Sequence, residues 1–336
     1  MNRVAIVVLN YKGIEDTKAC LASLSQLTYP NFTIVAVENG SRDASADEFR
    51  KLEAQYGDRL VALYNKENLG FAGGVNTGIH WALDHNYDMI ALFNNDATAD
   101  TEWLTKLTER LNSTPEASIA TGLLLHEGGK TIDSTGDWYS IWGLPFPRNR
   151  GDHAVHAPKG GMTFGATGGA TLYRAELFRT IGLFDDHFFA YYEDVDISFR
   201  TQLVGRKIIY EADALAYHKQ GATSSKMPGF AVYQTFKNLP LLFWKNVPLG
   251  LMPLIAPRFL LAYTLIYGNT FTHRSGWPAT KGLFKGLTLL PYALRQRRHI
   301  QASKRVPDRY IKDLLWHDLP PDQAGLRKFR KIITKK

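Results

Sequence analysis

The chain has 336 residues, 45% hydrophobic and 21% charged, with a formal net charge of +8. This is ordinary globular composition, enough for one large domain or two smaller ones. The single cysteine, Cys20, excludes a disulfide framework within the chain and makes a reducing, cytosolic side the default.

The N-terminal "RVAIVVLNY" is a short β-branched apolar run. It is too short for the apolar region of a signal peptide and reads as a buried strand. "DTKACLASLSQL" follows with Cys20, Leu21, Leu24 and Leu27 at helical spacing. "FTIVAVENGS" and "RLVALYN" read as further strands. "GGVNTGIHWALDH" puts Val75, Ile79, Ala82 and Leu83 on one helix face, and "YDMIALFNND" is a fourth strand ending in polar residues. Strands and helices in alternation imply an α/β fold with a mostly parallel sheet, whose ligands bind at the carboxyl ends of the strands. Three polar clusters fall at those ends: Asn10-Tyr11, Glu38-Asn39-Gly40-Ser41 and Asn94-Asn95-Asp96.

From about Leu123 to Phe164 the chain is rich in Gly, Pro, Trp and Asp, and reads as loops and short strands. A Gly-rich turn and a helix from about Arg174 come next. "YYEDVDISFR" then opens a helix carrying Val195, Phe199 and Leu203 and stopping at Gly205. Its three acids admit two readings. Acids favour the positive end of a helix dipole; alternatively, one of them takes a proton from a substrate. "RKIIYEADALAYH" is strand-like.

After about Gln234 the character changes. Leu239 to Tyr267 is strongly apolar but interrupted by Pro240, Pro248, Pro253, Pro257, Lys245 and Arg258. No charge-free stretch reaches the roughly 20 residues of a membrane span. In-plane or partly inserted amphipathic helices are expected, with a buried helical subdomain as the alternative. Residues 295–336 hold 13 Lys/Arg against 4 Asp/Glu, and the remainder 27 against 28, so the basic charge belongs to the tail. Such a tail suits an acidic lipid surface, a nucleic acid or simply solvent; it carries no recognised nucleic-acid module.

Several motifs fail. "GFAGGVNTG" does not fit G-x-G-x-x-G, "GGKT" lacks the first glycine of a P-loop, and there is no HExxH. What remains is Asp96 at the end of a buried strand, a possible ligand for a hard divalent cation, and His218 as a possible second. Gly70, Gly73 and Gly74 permit close backbone approach ahead of a helix N-terminus, and Asn68 and Asn76 can hydrogen-bond a sugar. Glu38 can accept an N–H from a nucleobase.

Taken in order, "VVLNYKG", "VENGSRD", "NLGFAGGVNTGI", "FNNDA", "GATGGATLYRAELFRTIGLFDDHFFAYYEDVDISFR" and "YHKQGATS" resemble the inverting nucleotide-sugar glycosyltransferases with the GT-A fold, often called family 2. The likeness covers roughly residues 3–225, and rhamnosyltransferase-like and galactofuranosyltransferase-like enzymes of cell-surface glycan assembly are the nearest in pattern. The resemblance implies a Rossmann-like catalytic domain over 1–235 and a helical, membrane-associating region over 236–336. It also implies a nucleoside-diphosphate sugar as donor, deoxythymidine diphosphate-rhamnose first and a uridine diphosphate-hexose second. Asp194 would be the catalytic base with Glu193 beside it, and Asp96 the last acid of a DXD-type motif, with Asn94 in the first position. Mn²⁺ or Mg²⁺ would sit on Asp96 and His218. Donor contacts would come from Asn10, Tyr11, Glu38, Asn68, Gly70, Gly73, Asn76, Asn94, Asn95, Gly168 and Gly169. The acceptor would be a lipid-linked glycan at the cytoplasmic face of an anionic membrane, with no nucleic acid partner. A processive polysaccharide synthase is disfavoured because Q-x-x-R-W is absent. A non-catalytic nucleotide-sugar binding protein is the other alternative.

Overall fold

The computed structural model describes residues 1–219, 227–321 and 326. Ser224 and its neighbours in the "YHKQGATS" motif, and the basic residues from Arg327 onward, lie outside the described residues. A mixed sheet runs through the catalytic half. Strands β1 (Val4–Asn10), β2 (Phe32–Glu38), β3 (Leu60–Tyr64) and β4 (Met89–Asn94) are parallel, in the order β3-β2-β1-β4. Alternate residues of β1 face opposite sides. Val4, Ile6 and Val8 join the core under helices α1 (Ile14–Leu24), α2 (Ser45–Tyr56) and α4 (Trp103–Asn112). Ala5 and Val7 join the core under α3 (Gly70–Asp84), α5 (Ala175–Ile181) and α6 (Glu193–Leu203). Each fully buried Leu, Ile or Val in these layers contributes about 1.5–3 kcal/mol of transfer free energy.

The second half of the sheet departs from the sequence reading. After β4 come the three-residue β5 (Ala97–Ala99) and α4. The segment starting before Leu123 is β6 (Ala117–His126), a long, almost wholly buried central strand. Its small residues Ala117, Ala120 and Gly122 give little β signal, yet Gly122 is required. A Cβ on Gly122 would stand 2.1 Å from the carbonyl oxygen of Ala214, where the neighbouring strand bulges. After the short β7 (Ile132–Ser134), β8 (Asp137–Tyr139), β9 (Pro145–Pro147) and β10 (Gly160–Met162) comes β11 (Ala170–Arg174), where the sequence suggested only a turn. β11 pairs antiparallel with β4 and β6, and β12 (Lys207–His218) runs parallel to β6.

The C-terminal third is helical: α7 (Phe230–Asn246), α8 (Met252–Thr272), α9 (Gly276–Thr288), α10 (Leu290–Ala302) and α11 (Asp308–Leu314). The boundary drawn at 235/236 falls inside α7. Leu239, Leu241, Leu242 and Phe243 of this helix share one apolar core with Phe164, Phe188, Val195, Phe199 and Leu203. Pro240 and Pro257 do not end their helices, because packing on the catalytic half outweighs the lost backbone hydrogen bond. α7 is therefore the buried part of the apolar segment. Residues Leu249–Thr272 are long and apolar enough to cross a membrane by length and composition, although Arg258 interrupts them, so no charge-free run reaches the length of a span.

Candidate active site

A cleft of about 1210 Å³ opens at the carboxyl ends of β1 and β4, beside the loop entering β11 and the start of α6. Tyr11, Asn68, Gly70, Asn94, Asn95, Asp96, Gly168, Gly169, Glu193, Asp194 and His218 all line it. Residues 207 positions apart in sequence thus meet in one cavity.

Four other sequence candidates sit behind the wall. Asn10 is fully buried, its Oδ1 accepting from the Gly13 N–H at 3.2 Å and the Thr17 hydroxyl at 3.0 Å. Glu38 accepts the N–H groups of Gly40 (3.1 Å) and Ser41 (2.8 Å), which closes the turn after β2. Gly73 lies in the first turn of α3, and a Cβ there would meet Leu69 Cβ at 2.8 Å. The adjacent Gly74 and Gly78 let α3 approach Leu9 and Val7 of β1, so these glycines serve helix–sheet packing. The Asn76 amide is committed to Phe184 and Asp186: Nδ2 donates at 2.8 and 2.7 Å, and Oδ1 accepts from the Phe184 N–H at 3.1 Å. Asn39, not among the sequence candidates, organises the wall. Its Nδ2 donates to Asn68 Oδ1 and the Gly70 carbonyl, and its Oδ1 accepts from Asn65 and the Leu69 N–H.

The acidic pair begins α6 from a strained approach. Phe189, Tyr191 and Tyr192 have φ of 61°, 68° and 72°, a left-handed conformation that costs a non-glycine residue about 1–2 kcal/mol. Asn238 of α7 holds it in place, donating from Nδ2 to the carbonyls of Phe188 (3.0 Å), Ala190 (2.8 Å) and Tyr191 (2.8 Å). Lys237 donates to the carbonyls of His187 and Phe188, and burial lowers its pKa to about 8. From the other side Gly70 makes room: a Cβ there would lie 2.4 Å from the Phe189 carbonyl oxygen. None of this support is visible as a motif, since Lys237 and Asn238 sit about 45 residues downstream in an apolar run.

The two acids have different surroundings. Asp194 is only part-buried at the cleft wall; its Oδ2 accepts the Gly168 N–H at 3.1 Å and its Oδ1 the Val195 N–H at 2.8 Å. Burial raises its pKa above the ordinary carboxylate value, and these two donors oppose the rise. Glu193 is buried, its Oε2 has no hydrogen-bond partner, and burial and the Asp194 charge push its carboxyl well up. Asp196, expected on the helix face beside Arg200, is paired with it at 2.9 Å but wholly buried, and also binds Lys245 at 2.8 Å and Asn246 at 2.8 Å. Asp137, absent from the sequence candidates, lines the same cleft, and its carboxyl is pushed well up by burial and by Asp194.

Asp96 and His218 face each other at 2.9 Å between Oδ1 and Nε2, and Asn94 Nδ2 lies 3.4 Å from the same ring nitrogen. Asp133, which no motif flags, takes the other ring nitrogen at 2.7 Å and itself binds Arg150 at 2.8 Å. Burial opposes charge on His218, but the carboxylates of Asp133 and Asp96 outweigh it and raise the ring to about 9. Among the described residues there is no cluster of three or more His, Cys, Asp or Glu side chains arranged to hold a metal ion.

A cleft at the strand ends of a doubly covered sheet, with an acid at the fourth strand and an acidic pair opening a helix across it, is the arrangement that the resemblance to GT-A glycosyltransferases implies. The chain belongs to glycosyl transferase family 2, whose family model matches residues 4–182. It is similar to an undecaprenyl-phosphate mannosyltransferase of Micrococcus luteus, 25% identical over 70% of this chain and 92% of that protein. It is also similar to the dTDP-rhamnosyl transferase RfbF of Shigella flexneri, 24% identical over 74% and 82% respectively. Among solved structures, the mannosyltransferase PcManGT of Pyrobaculum calidifontis, in complex with GDP-Man and Mn²⁺, shares the fold with a TM-score of 0.52 at 15% identity, over 93% of this chain and 79% of that one.

Proposed function

We propose that this glycosyltransferase moves a sugar from a nucleoside-diphosphate sugar to a hydroxyl of a lipid-linked or cell-surface glycan, with inversion at the anomeric carbon. Asp194 is the general base. The observation that carries this is the asymmetry of the acidic pair. Asp194 has two backbone N–H donors to stabilise its anion, whereas Glu193 has an unpartnered buried oxygen, and burial and the Asp194 charge push its carboxyl well up. The anion of the pair is therefore better stabilised on Asp194, whose pKa rise is opposed by two backbone donors, than on the more buried Glu193. Asp194 takes the proton of the acceptor hydroxyl as that oxygen attacks the anomeric carbon; the bond to the diphosphate breaks, and its electron pair leaves with the phosphate. Asn68, Asn94, Asn95, Tyr11 and the Gly168–Gly169 backbone hold the donor. Glu38 and Asn10 fix the loops beneath it. A dTDP sugar is the first choice of donor, in keeping with the rhamnosyl transferase relative.

The donor set at Asp96 and His218 fits a divalent cation such as Mn²⁺ or Mg²⁺. Asp133 on Nδ1 orients the ring so that Nε2 meets the Asp96 carboxylate at 2.9 Å; a bound cation would replace that contact and its proton, and would take further oxygens from the diphosphate and water. When bound, the metal neutralises charge on the departing diphosphate. The test is a melting-temperature panel of nucleoside diphosphates with and without Mn²⁺. A ligand at about 100 times its Kd stabilises by about 2.7 kcal/mol. The expected result is a shift for one nucleotide that requires the metal and disappears in Asp96→Ala. A flat panel would sink the assignment.

The same reading places the enzyme on the cytoplasmic face of an anionic membrane. Leu260, Leu261 and Phe271 of α8 and Trp277, Phe284 and Leu287 of α9 are exposed, and Trp277 and Phe284 are 68% and 64% accessible. Lys281 stands over the Trp277 ring at 5.1 Å, so apolar and basic groups share one surface. α9 packs on α7 through Gly282 and Gly286, whose missing Cβ atoms would meet the Tyr233 and Lys237 carbonyls. Deleting this region would therefore disturb α7, and point substitutions are the cleaner test. The double substitution Trp277→Asp with Phe284→Asp is expected to abolish flotation with phosphatidylglycerol vesicles while leaving nucleotide affinity unchanged. Undiminished flotation would show that another surface binds the lipid.

A further inference from the structure

We propose that the cleft contains an acceptor subsite built by Trp138, Phe146 and Trp316 with Arg148 at its edge, which takes a sugar ring carrying a nearby anionic group. This rests on the glycosyl-transfer reading and deepens it. Trp138 and Phe146 are register partners in the β8–β9 hairpin. Trp316 arrives from almost 180 residues downstream, docked by main-chain bonds: its N–H donates to the Tyr139 carbonyl at 2.9 Å, and its carbonyl accepts from the Ile141 N–H at 2.9 Å. The Trp316 ring lies 5.9 Å from both Trp138 and Phe146, tilted at 40° and 77°. All three line the same cleft as Asp194. The ledge is also tied to the base. Asp137, next to Trp138, exchanges main-chain bonds with Gly165 at 2.8 and 3.0 Å, in the loop whose Gly168 N–H holds Asp194.

Indole faces present a broad apolar surface with a negative π cloud, which suits the C–H face of a pyranose ring. Arg148 adds charge selectivity. Its guanidinium stacks over Trp138 at 5.6 Å and Tyr210 at 5.4 Å, and donates a long hydrogen bond, 3.5 Å, to the Met162 carbonyl. Among the described residues no carboxylate lies within ion-pair distance of it, in contrast to Arg150, which is neutralised by Asp133. A half-buried guanidinium lining a cleft without a carboxylate is matched to a phosphate or carboxylate group on the incoming ligand.

The experiment measures the binding of three probes to the full-length protein by calorimetry: octyl glucoside, octyl glucuronide and an octyl-diphospho-glucose. Wild type is expected to bind an anionic probe at least about tenfold more tightly than the neutral one, about 1.4 kcal/mol. The diphosphate probe binding best points to a lipid diphosphate carrier, and the glucuronide binding best to an acidic glycan. Arg148→Ala is expected to erase that preference and spare the neutral probe. Trp316→Ala is expected to weaken all three about tenfold or more, with Trp316→Phe retaining most of the affinity, and with the Kd for the nucleoside diphosphate unchanged in each variant. Loss of nucleotide affinity in Trp316→Ala would assign the ledge to the donor and overturn the proposal. So would probe binding that is indifferent to both substitutions, or wild type failing to bind any probe. A wild type that binds the probes but no nucleotide would count against the transfer reading and leave the ledge standing.

Discussion

Asp194→Asn is expected to lower kcat by about 10²–10⁴-fold, the contribution of one positioned base, with donor-nucleotide affinity within about twofold of wild type. The substitution keeps the size of the side chain and one of its two backbone contacts, at Gly168 or Val195, so folding should survive. Its pH dependence carries further information. Burial raises the Asp194 pKa, so the fraction of active, ionised base grows as the pH climbs through that raised value. In wild type the acid limb of kcat/KM is expected above the ordinary carboxylate range near 4, and in Asp194→Asn it disappears. Glu193→Gln is the control. It replaces a buried carboxyl whose pKa is pushed well up by burial and by Asp194, so it should cost far less than Asp194→Asn. The reverse order of losses would transfer the role to Glu193.

Lys245→Met is expected to cost about 3–5 kcal/mol of stability, as is usual when one partner of a buried charge cluster is removed. At roughly 2 °C per kcal/mol for a chain of this size, Tm should fall by about 6–10 °C. Lys245 is 2% exposed and lies between Asp185 and Asp196, the latter held in turn by Arg200 and Asn246. Arg200 reaches on to the carbonyls of Ile181, Gly182 and Leu183, so this one cluster fastens α6 and α7 to the turn after α5. Burial opposes the ionisation of Asp185, but the Lys245 charge and hydrogen bond outweigh it and hold the carboxyl down to about 2. A depressed carboxyl adds stability above its unfolded pKa near 3.9 and loses it as pH falls through the folded value, here from about 4 to about 2. In Lys245→Met the freed, largely buried Asp185 rises instead. The gap in Tm between wild type and variant is therefore expected to be widest at neutral pH and to narrow as the medium is acidified. Equal Tm at pH 7 would refute the structural role of the cluster.

Much of the fold was legible without coordinates. Near-continuous apolar runs at Val4–Asn10, Phe32–Glu38 and Met89–Asn94 alternate with helical spacing, and that alternation by itself implies a covered parallel sheet with ligands at its strand ends. β6 and β11 were not legible as the strands they are. Small residues gave β6 no β-propensity signal, and its selection for the centre of the sheet depends on a bulged neighbour that only close contact can demand. The site divides in the same way. Asp96, Asp194, His218 and the Gly168–Gly169 turn stand at strand and helix ends, where local chemistry marks them, and all of them line the cleft.

What supports and completes the site is non-local. Asn238 restrains the left-handed approach to the acids, Asp133 orients His218, and Lys245 neutralises two buried carboxylates. Trp316 reaches the cleft only because its backbone pairs beside Tyr139. These partners are separated in sequence by about 45 to 180 residues, and no periodicity or spacing rule links positions so far apart. The sequence alone determined the class of fold, because strand pattern is a local property, while Asp194 was singled out among the acids of "EDVD" only by the family resemblance. Tertiary structure decided how differently two adjacent acids are buried and hydrogen-bonded, which glycines only pack helix on sheet, and which aromatics line the cleft. Burial, hydrogen-bond satisfaction and close approach are properties of the packed chain.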